Sequence, residues 1–323
     1  MAELSGGGRT TRMYELEFPA PEVATDGVAG PTLIVAMQGY ADAGQAVESG
    51  ASHLLQALDH RPLASFNTDE LIDYRSRRPA VTIEHNEVID IADPELNLHV
   101  VKDNAGTAFL LLSGPEPDLR WDAFTGSVAD LAERFGVQQT ICLYAAPMAV
   151  PHTRPLVVSA HGNNKEILQR MFNIDTRITV PGSASLHLER KLNARGRSVS
   201  GFTAHVPHYL AASDYPEATL KLLKAVSDAT GLQFPLAAIE ADAEKVRTQV
   251  EEQVHDSHEI QAVVRALESQ YDSEMERHQE QSRQEILPAD APIPSGEELG
   301  AEFERFLAAL DDDTNPETDT DEQ

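Results

Sequence analysis

Pro31-Thr32-Leu33-Ile34-Val35-Ala36-Met37 runs without alternation between Gly30 and Gly39. An unbroken apolar run of this length predicts a strand buried on both faces, as in a parallel sheet. Gly39-Tyr40-Ala41-Asp42-Ala43-Gly44-Gln45-Ala46 follows and opens a predicted helix that continues to about Leu58. Residues 63–67 predict a second strand, and residues 98–102 and 108–113 a hairpin-like pair around Asn104-Ala105-Gly106. Phe124, Val128, Leu131 and Phe135 recur at helical spacing, which predicts a helix from Trp121 to Phe135 with Gly136 as its stop. Further strands are predicted over 140–146, 156–159 and 199–206, and helices over 183–194 and 216–230. The last of these helices opens on Pro216 and closes at Gly231, the expected asymmetry of helix ends.

Strands and helices thus interleave up to about residue 234. That order predicts an α/β fold: a three-layer α/β/α core with a mainly parallel sheet and helices on both faces. Beyond Pro235 the composition changes: residues 236–281 hold no Gly or Pro and are rich in Glu, Gln and Ala, so a long helix or helical hairpin is expected. The organisation read from the chain is a disordered leader over 1–13, an α/β domain over 14–234, a helical region over 235–310 and an acidic tail over 311–323. Within the helical region, a Pro-rich linker near 286–296 precedes an amphipathic helix over 297–310. Its apolar face is Leu299, Phe303, Phe306, Leu307 and Leu310.

The net charge of −28 is concentrated at one end. Residues 288–323 carry 12 acids against one base, and residues 235–287 carry 13 against 5. A chain without a basic face has nothing to displace phosphate counterions, so nucleic acid is excluded as a partner. No apolar stretch reaches the length of a membrane span, and no basic region followed by an apolar one opens the chain. Cys142 is the sole cysteine and lies in an apolar run, where it reads as a small buried hydrophobe. A cytoplasmic protein is expected, with no membrane partner and no cofactor.

Candidate chemistry gathers at strand ends. Pro151-His152-Thr153-Arg154-Pro155 follows a strand, and its two prolines fix the backbone around an imidazole and a guanidinium. Val206-Pro207-His208-Tyr209 repeats that grammar. With Asp42 and Glu116, also at strand ends, they define a candidate pocket of Asp42, Glu116, His152, Arg154 and His208, in which Arg154 holds an anion and a histidine exchanges a proton. Each residue has a structural reading too: Asp42 as a helix cap, Glu116 as an ion-pair partner of Arg154, and the histidines as hydrogen-bonded corners. Asp73, Arg75 and Arg78, in the dense charged segment 69–79, are candidates for an oligomer seam. No His-Glu-x-x-His or other ligand spacing predicts a metal, and Gly182-Ser183-Ala184-Ser185 does not complete a nucleophile elbow. Ser183 and Ser185 read first as helix caps and second as anion-binding groups.

Five ordered segments together resemble the PAC2 family, named after a proteasome assembly chaperone, in its actinobacterial branch. They are residues 39–46, 73–79, 151–155 and 205–209, together with Gly114-Pro115-Glu116-Pro117-Asp118-Leu119-Arg120-Trp121. The resemblance covers about residues 14–310. It implies a phosphorylase- or hydrolase-like core with a helical C-terminal appendage, homo-oligomers with a trimer as the working number, and a proteasome-related protein partner. Archaeal relatives dock on the proteasome through a C-terminal hydrophobic-Tyr-any-residue tail, whereas this sequence ends Thr320-Asp321-Glu322-Gln323. The expectation is a non-enzymatic interaction protein or assembly-chaperone-like factor. The alternative is a small-molecule enzyme of nucleoside-phosphorylase-like architecture, or an ATP-grasp-like ligase, although no phosphate-gripping pattern is present.

Overall fold

The computed structural model describes residues 13–19, 23, 30–173 and 177–286. The leader's Gly6-Gly7-Gly8, most of the Pro-rich linker, the amphipathic segment 297–310 and the acidic tail lie outside the described residues.

Eight strands form one sheet: β1 (Tyr14–Leu16), β2 (Thr32–Gln38), β3 (His60–Phe66), β6 (Asn97–Lys102), β7 (Ala108–Pro115), β8 (Gln139–Met148), β9 (Val158–Gly162) and β10 (Ser198–Pro207). Their spatial order is β1-β3-β6-β7-β2-β8-β10-β9. The centre, β7-β2-β8-β10, is parallel, with Leu33 beside Leu110 and Thr140, and Val199 beside Thr140. Both flanks are antiparallel. The helices are α1 (Ala46–Ala57), α2 (Thr68–Leu71), α3 (Trp121–Arg134), α4 (Lys165–Arg170), α5 (Ala184–Ala194), α6 (Pro216–Thr230), α7 (Ala237–His255) and α8 (His258–Ile286). The glycine-free stretch after Pro235 is therefore two helices, broken at Asp256-Ser257.

The unbroken apolar run of β2 follows from its position. Alternate residues face opposite sides of a sheet. Ile34 and Ala36 pack with Val47 and Leu54 of α1 and Leu223 of α6. Leu33, Val35 and Met37 pack on the other side with Phe124 and Val128 of α3 and Leu188 of α5. Two hydrophobic cores, one on each face, make the three-layer α/β/α arrangement predicted from the interleaving. One compact unit extends through Tyr271 and includes α7 and the first half of α8.

A second, two-stranded sheet is formed by β4 (Val81–Glu84) and β5 (Glu87–Ile91). Its turn places His85 and Asn86 both at positive φ (48° and 66°), the twist-matched form of a two-residue hairpin loop. No glycine marks this turn in the sequence, and no hairpin is predicted there. Alternation at Val81 and Ile83, apolar residues at Val88, Ile89 and Ile91, and Asn86 between them carry the signal that was available.

Candidate functional site

The prolines of the 151–155 corner lie just beyond the end of β8. His152 is held there by Tyr209: its backbone N–H donates to the Tyr209 hydroxyl at 2.9 Å, and its Nδ1 lies 2.7 Å from the same oxygen. The His152 and His208 rings each meet the Tyr209 ring edge-on, with centroids 5.8 and 5.3 Å apart. Burial lowers the His152 pKa, against the opposing pull of Glu251 and Glu268. Arg154 turns the other way, donating from Nη1 to Glu268 of α8 at 3.1 Å. Thr153 Oγ1 donates to the same Glu268 oxygen at 2.5 Å, and Tyr271 donates to the Pro155 carbonyl at 2.8 Å. Much of the corner's polar chemistry is thus spent on anchoring the first half of α8.

Asp42 and Glu116 sit elsewhere. Asp42 accepts the first-turn N–H groups of α1 at Val47 (2.7 Å) and Glu48 (3.1 Å). Burial raises its pKa, which these two donors partly offset. Glu116 is buried and accepts the Ala184 N–H at the start of α5 at 2.5 Å. It therefore faces neither His152 nor Arg154, a correction to the expected ion pair. Ser183 caps α5 by accepting from Leu186 N–H at 3.1 Å. Both helix N-termini that looked open to an anion already hold side-chain oxygens, because a buried backbone N–H must find a partner. Replacing Asp42 with alanine is expected to cost about 1–2 kcal/mol, read as a lower urea midpoint; an unchanged midpoint would deny the capping role.

Cavities of about 1140, 660 and 180 Å³ are present, and none is lined by Glu116, His152, Arg154 or His208. The largest lies at the carboxyl ends of β2 and β7 and draws its walls from three of the motif segments: Tyr40 and Asp42 from the first, Arg77 and Arg78 from the second, Pro115 from the third. These segments are also tied to one another. Asp118 accepts the Asp73 N–H at 2.8 Å and pairs with Arg77 at 3.2 Å, while Arg120 pairs with Glu70. Asp73 itself orders the turn that follows, its carboxylate accepting the Arg75 N–H at 2.9 Å. Arg75 and Arg78 are exposed, and neither is ion-paired among the described residues.

Two further histidines have side-chain partners. His205 is buried with Nε2 2.9 Å from Ser159 Oγ, and desolvation takes its pKa down to about 4. His161 meets Glu189 of α5 at 3.0 Å, and Glu189 accepts the Tyr144 hydroxyl at 2.6 Å. This Tyr144–Glu189–His161 chain was not foreseen, since its members lie on β8, α5 and β9 without any sequence spacing in common. Gly201 makes room for it: a Cβ there would come within 2.2 Å of the His161 ring. Among the described residues, no group of three or more His, Cys, Asp or Glu is placed to hold a metal ion. No helix of the described residues is long and apolar enough to cross a membrane.

The PAC2 family profile matches residues 36–254. A Corynebacterium glutamicum protein of unknown function is 64% identical, with 82% of this chain and 98% of that chain covered and a TM-score of 0.80. A Mycobacterium tuberculosis protein of unknown function is 48% identical over 84% of this chain and 92% of that one, with a TM-score of 0.79. A Mycobacterium tuberculosis proteasome-assembly chaperone homologue is 25% identical over 72% of this chain and 99% of that one, with a TM-score of 0.67. No curated protein matches.

Proposed function

The chain belongs to the PAC2 family, and from that premise we propose that it is a self-associating interaction protein of the proteasome-assembly-chaperone type rather than an enzyme. The observation that carries this reading is the β4–β5 hairpin. Val81 pairs with Ile91 and Ile83 with Val88, and a register shift between Thr82 and Ile83 brings all four onto one face. The opposite face carries Thr82, Glu84, Glu87 and Asp90. The four apolar residues are 49%, 49%, 66% and 60% exposed. A lone two-stranded ribbon is marginally stable in water at best, and a contiguous exposed apolar face marks an interaction surface. Asp73, Arg75 and Arg78 precede the hairpin and supply a charged margin to the same seam.

A proteasome-related partner is supported by the likeness to a chain described as a proteasome-assembly chaperone homologue. The phosphorylase-like alternative is weakened by the two occupied helix N-termini, which leave no backbone cradle for phosphate at these positions.

Sedimentation of the wild-type chain and of the Ile83→Lys/Val88→Glu variant tests the proposal. The paired opposite charges preserve cross-strand attraction while removing the apolar face. The wild type is expected to sediment well above its 35.3 kDa monomer mass and the variant at that mass. A monomeric wild type, or a variant that assembles normally, would sink the self-association reading. Binding of the wild type to purified proteasome subunits, absent in the variant, is expected if the partner docks on the same face.

A further inference from the structure

We propose that the cleft where the connections from β2 and β7 part binds a small basic amino acid of the arginine or lysine type. Asp93 and Glu95 would hold its side-chain cation and Arg78 its carboxylate. This goes beyond self-association, with which it shares Arg78 from the charged margin of the seam.

The location follows from topology. β2 and β7 are parallel neighbours, yet the chain leaving β2 enters α1 on one face of the sheet and the chain leaving β7 enters α3 on the other. Connections that part in this way open a crevice at the carboxyl ends of the strands, where open α/β sheets bind their ligands. The 1140 Å³ cavity occupies that crevice. Close approach of the two loops depends on Gly39, because a Cβ there would come within 2.4 Å of Glu116 Oε2. Ile72, Pro79, Pro94 and Pro115 give the cavity stiff apolar walls, and the largely exposed Tyr40 offers a ring face at its mouth.

The ligand's chemistry follows from which charges around the cavity are already engaged. Asp42 is committed to α1 and Arg77 to Asp118. Gln38, with its amide nitrogen turned toward Glu48, donates to both carboxylate oxygens at 2.9 and 3.0 Å. Glu95 accepts from Asn97 on Oε2 at 3.2 Å, leaving Oε1 for another donor. Among the described residues, no donor meets the Asp93 carboxylate and no acceptor meets the Arg78 guanidinium. The groups left facing the cleft are thus two carboxylates, Asp93 and Glu95, against one guanidinium, Arg78. Phosphate-rich ligands are repelled by that balance, and the α1 N–H groups that would cradle them are taken. A ligand with two cationic groups and one carboxylate matches it, since charge-assisted pairs are the stronger and more directional hydrogen bonds.

Isothermal titration of the full chain with L-arginine, and with agmatine as the analogue lacking the carboxylate, tests this. Saturable binding of L-arginine is expected, with agmatine weaker by about tenfold. Arg78→Ala should erase that difference, and Asp93→Asn/Glu95→Gln should weaken both ligands by about tenfold or more. These side chains are at the surface, so the variants should keep the wild-type circular dichroism and urea midpoint, which are measured alongside. No saturable heat with L-arginine up to about 10 mM would overturn the proposal, that concentration being well past the useful range of a weak site. Equal wild-type affinity for the two probes, or undiminished binding in the Asp93→Asn/Glu95→Gln variant, would overturn it as well.

Discussion

Replacing Gly114 with alanine is expected to destabilise the protein by about 3–5 kcal/mol, from backbone strain and overpacking acting together. Gly114 lies near the end of β7 at φ 130°, a conformation that side chains rarely adopt. A Cβ there would stand 2.1 Å from the Glu95 carbonyl oxygen and 2.8 Å from Leu96 Cα. Both atoms belong to backbone entering β6, so no rotamer change relieves the clash. The substitution should also displace Glu95 and distort the cleft between β2 and β7. Gly136→Ala is the control: its φ is 65° and nothing lies within 4 Å of the added carbon, so only the left-handed penalty of about 1–2 kcal/mol applies. Urea midpoints of the two variants decide the matter. A Gly114→Ala midpoint no lower than that of Gly136→Ala would refute the packing described for this turn.

Glu189→Ala is expected to cost about 3 kcal/mol, because it orphans a buried hydroxyl and opens a cavity beneath α5. Tyr144 is 5% exposed and donates to Glu189, so its hydroxyl would lose its partner without gaining water. The same chain gives a pH signature. Burial alone would lower the His161 pKa, but the hydrogen bond and charge of Glu189 outweigh it and raise it above 6.5. For a group whose folded pKa is raised, the stabilisation is complete below the unfolded value and disappears as pH rises through the folded one. His205 and His99 act in the opposite sense. Desolvation takes both to about 4, so the stability they favour is present above 6.5 and is lost as pH falls toward 4. Stability of the wild type should therefore decline on both sides of a maximum. His161→Gln should remove the decline on the alkaline side near neutrality, and a variant that keeps it would show that another group is responsible.

The layered core was legible because it rests on local signals. The unbroken run 32–38 could only be a strand buried on both sides, and Phe124, Val128 and Leu131 mark the buried side of α3. Helix ends were legible for the same reason: Gly231 at φ 75° closes α6 and Ser183 opens α5. The candidate site was less so. Asp42, Glu116, His152, Arg154 and His208 were recognised as strand-end residues, but strand ends share an edge of the sheet rather than a pocket. Their partners are Val47, Ala184, Tyr209 and Glu268, whose positions depend on helix packing. The Glu268 contact joins residues more than a hundred positions apart, and nothing in the local sequence of 151–155 announces it. The hairpin was missed for a different reason: its turn reaches positive φ at His85 and Asn86 without the glycine that usually marks it.

Amide hydrogen exchange of residues 81–91 at two protein concentrations tests the proposed self-association through the β4–β5 hairpin most directly. If a second copy covers the apolar face, protection of these amides rises with protein concentration and is lost in Ile83→Lys/Val88→Glu, while the β2 and β8 amides stay protected throughout. Rapid exchange of the hairpin at every concentration would contradict the account.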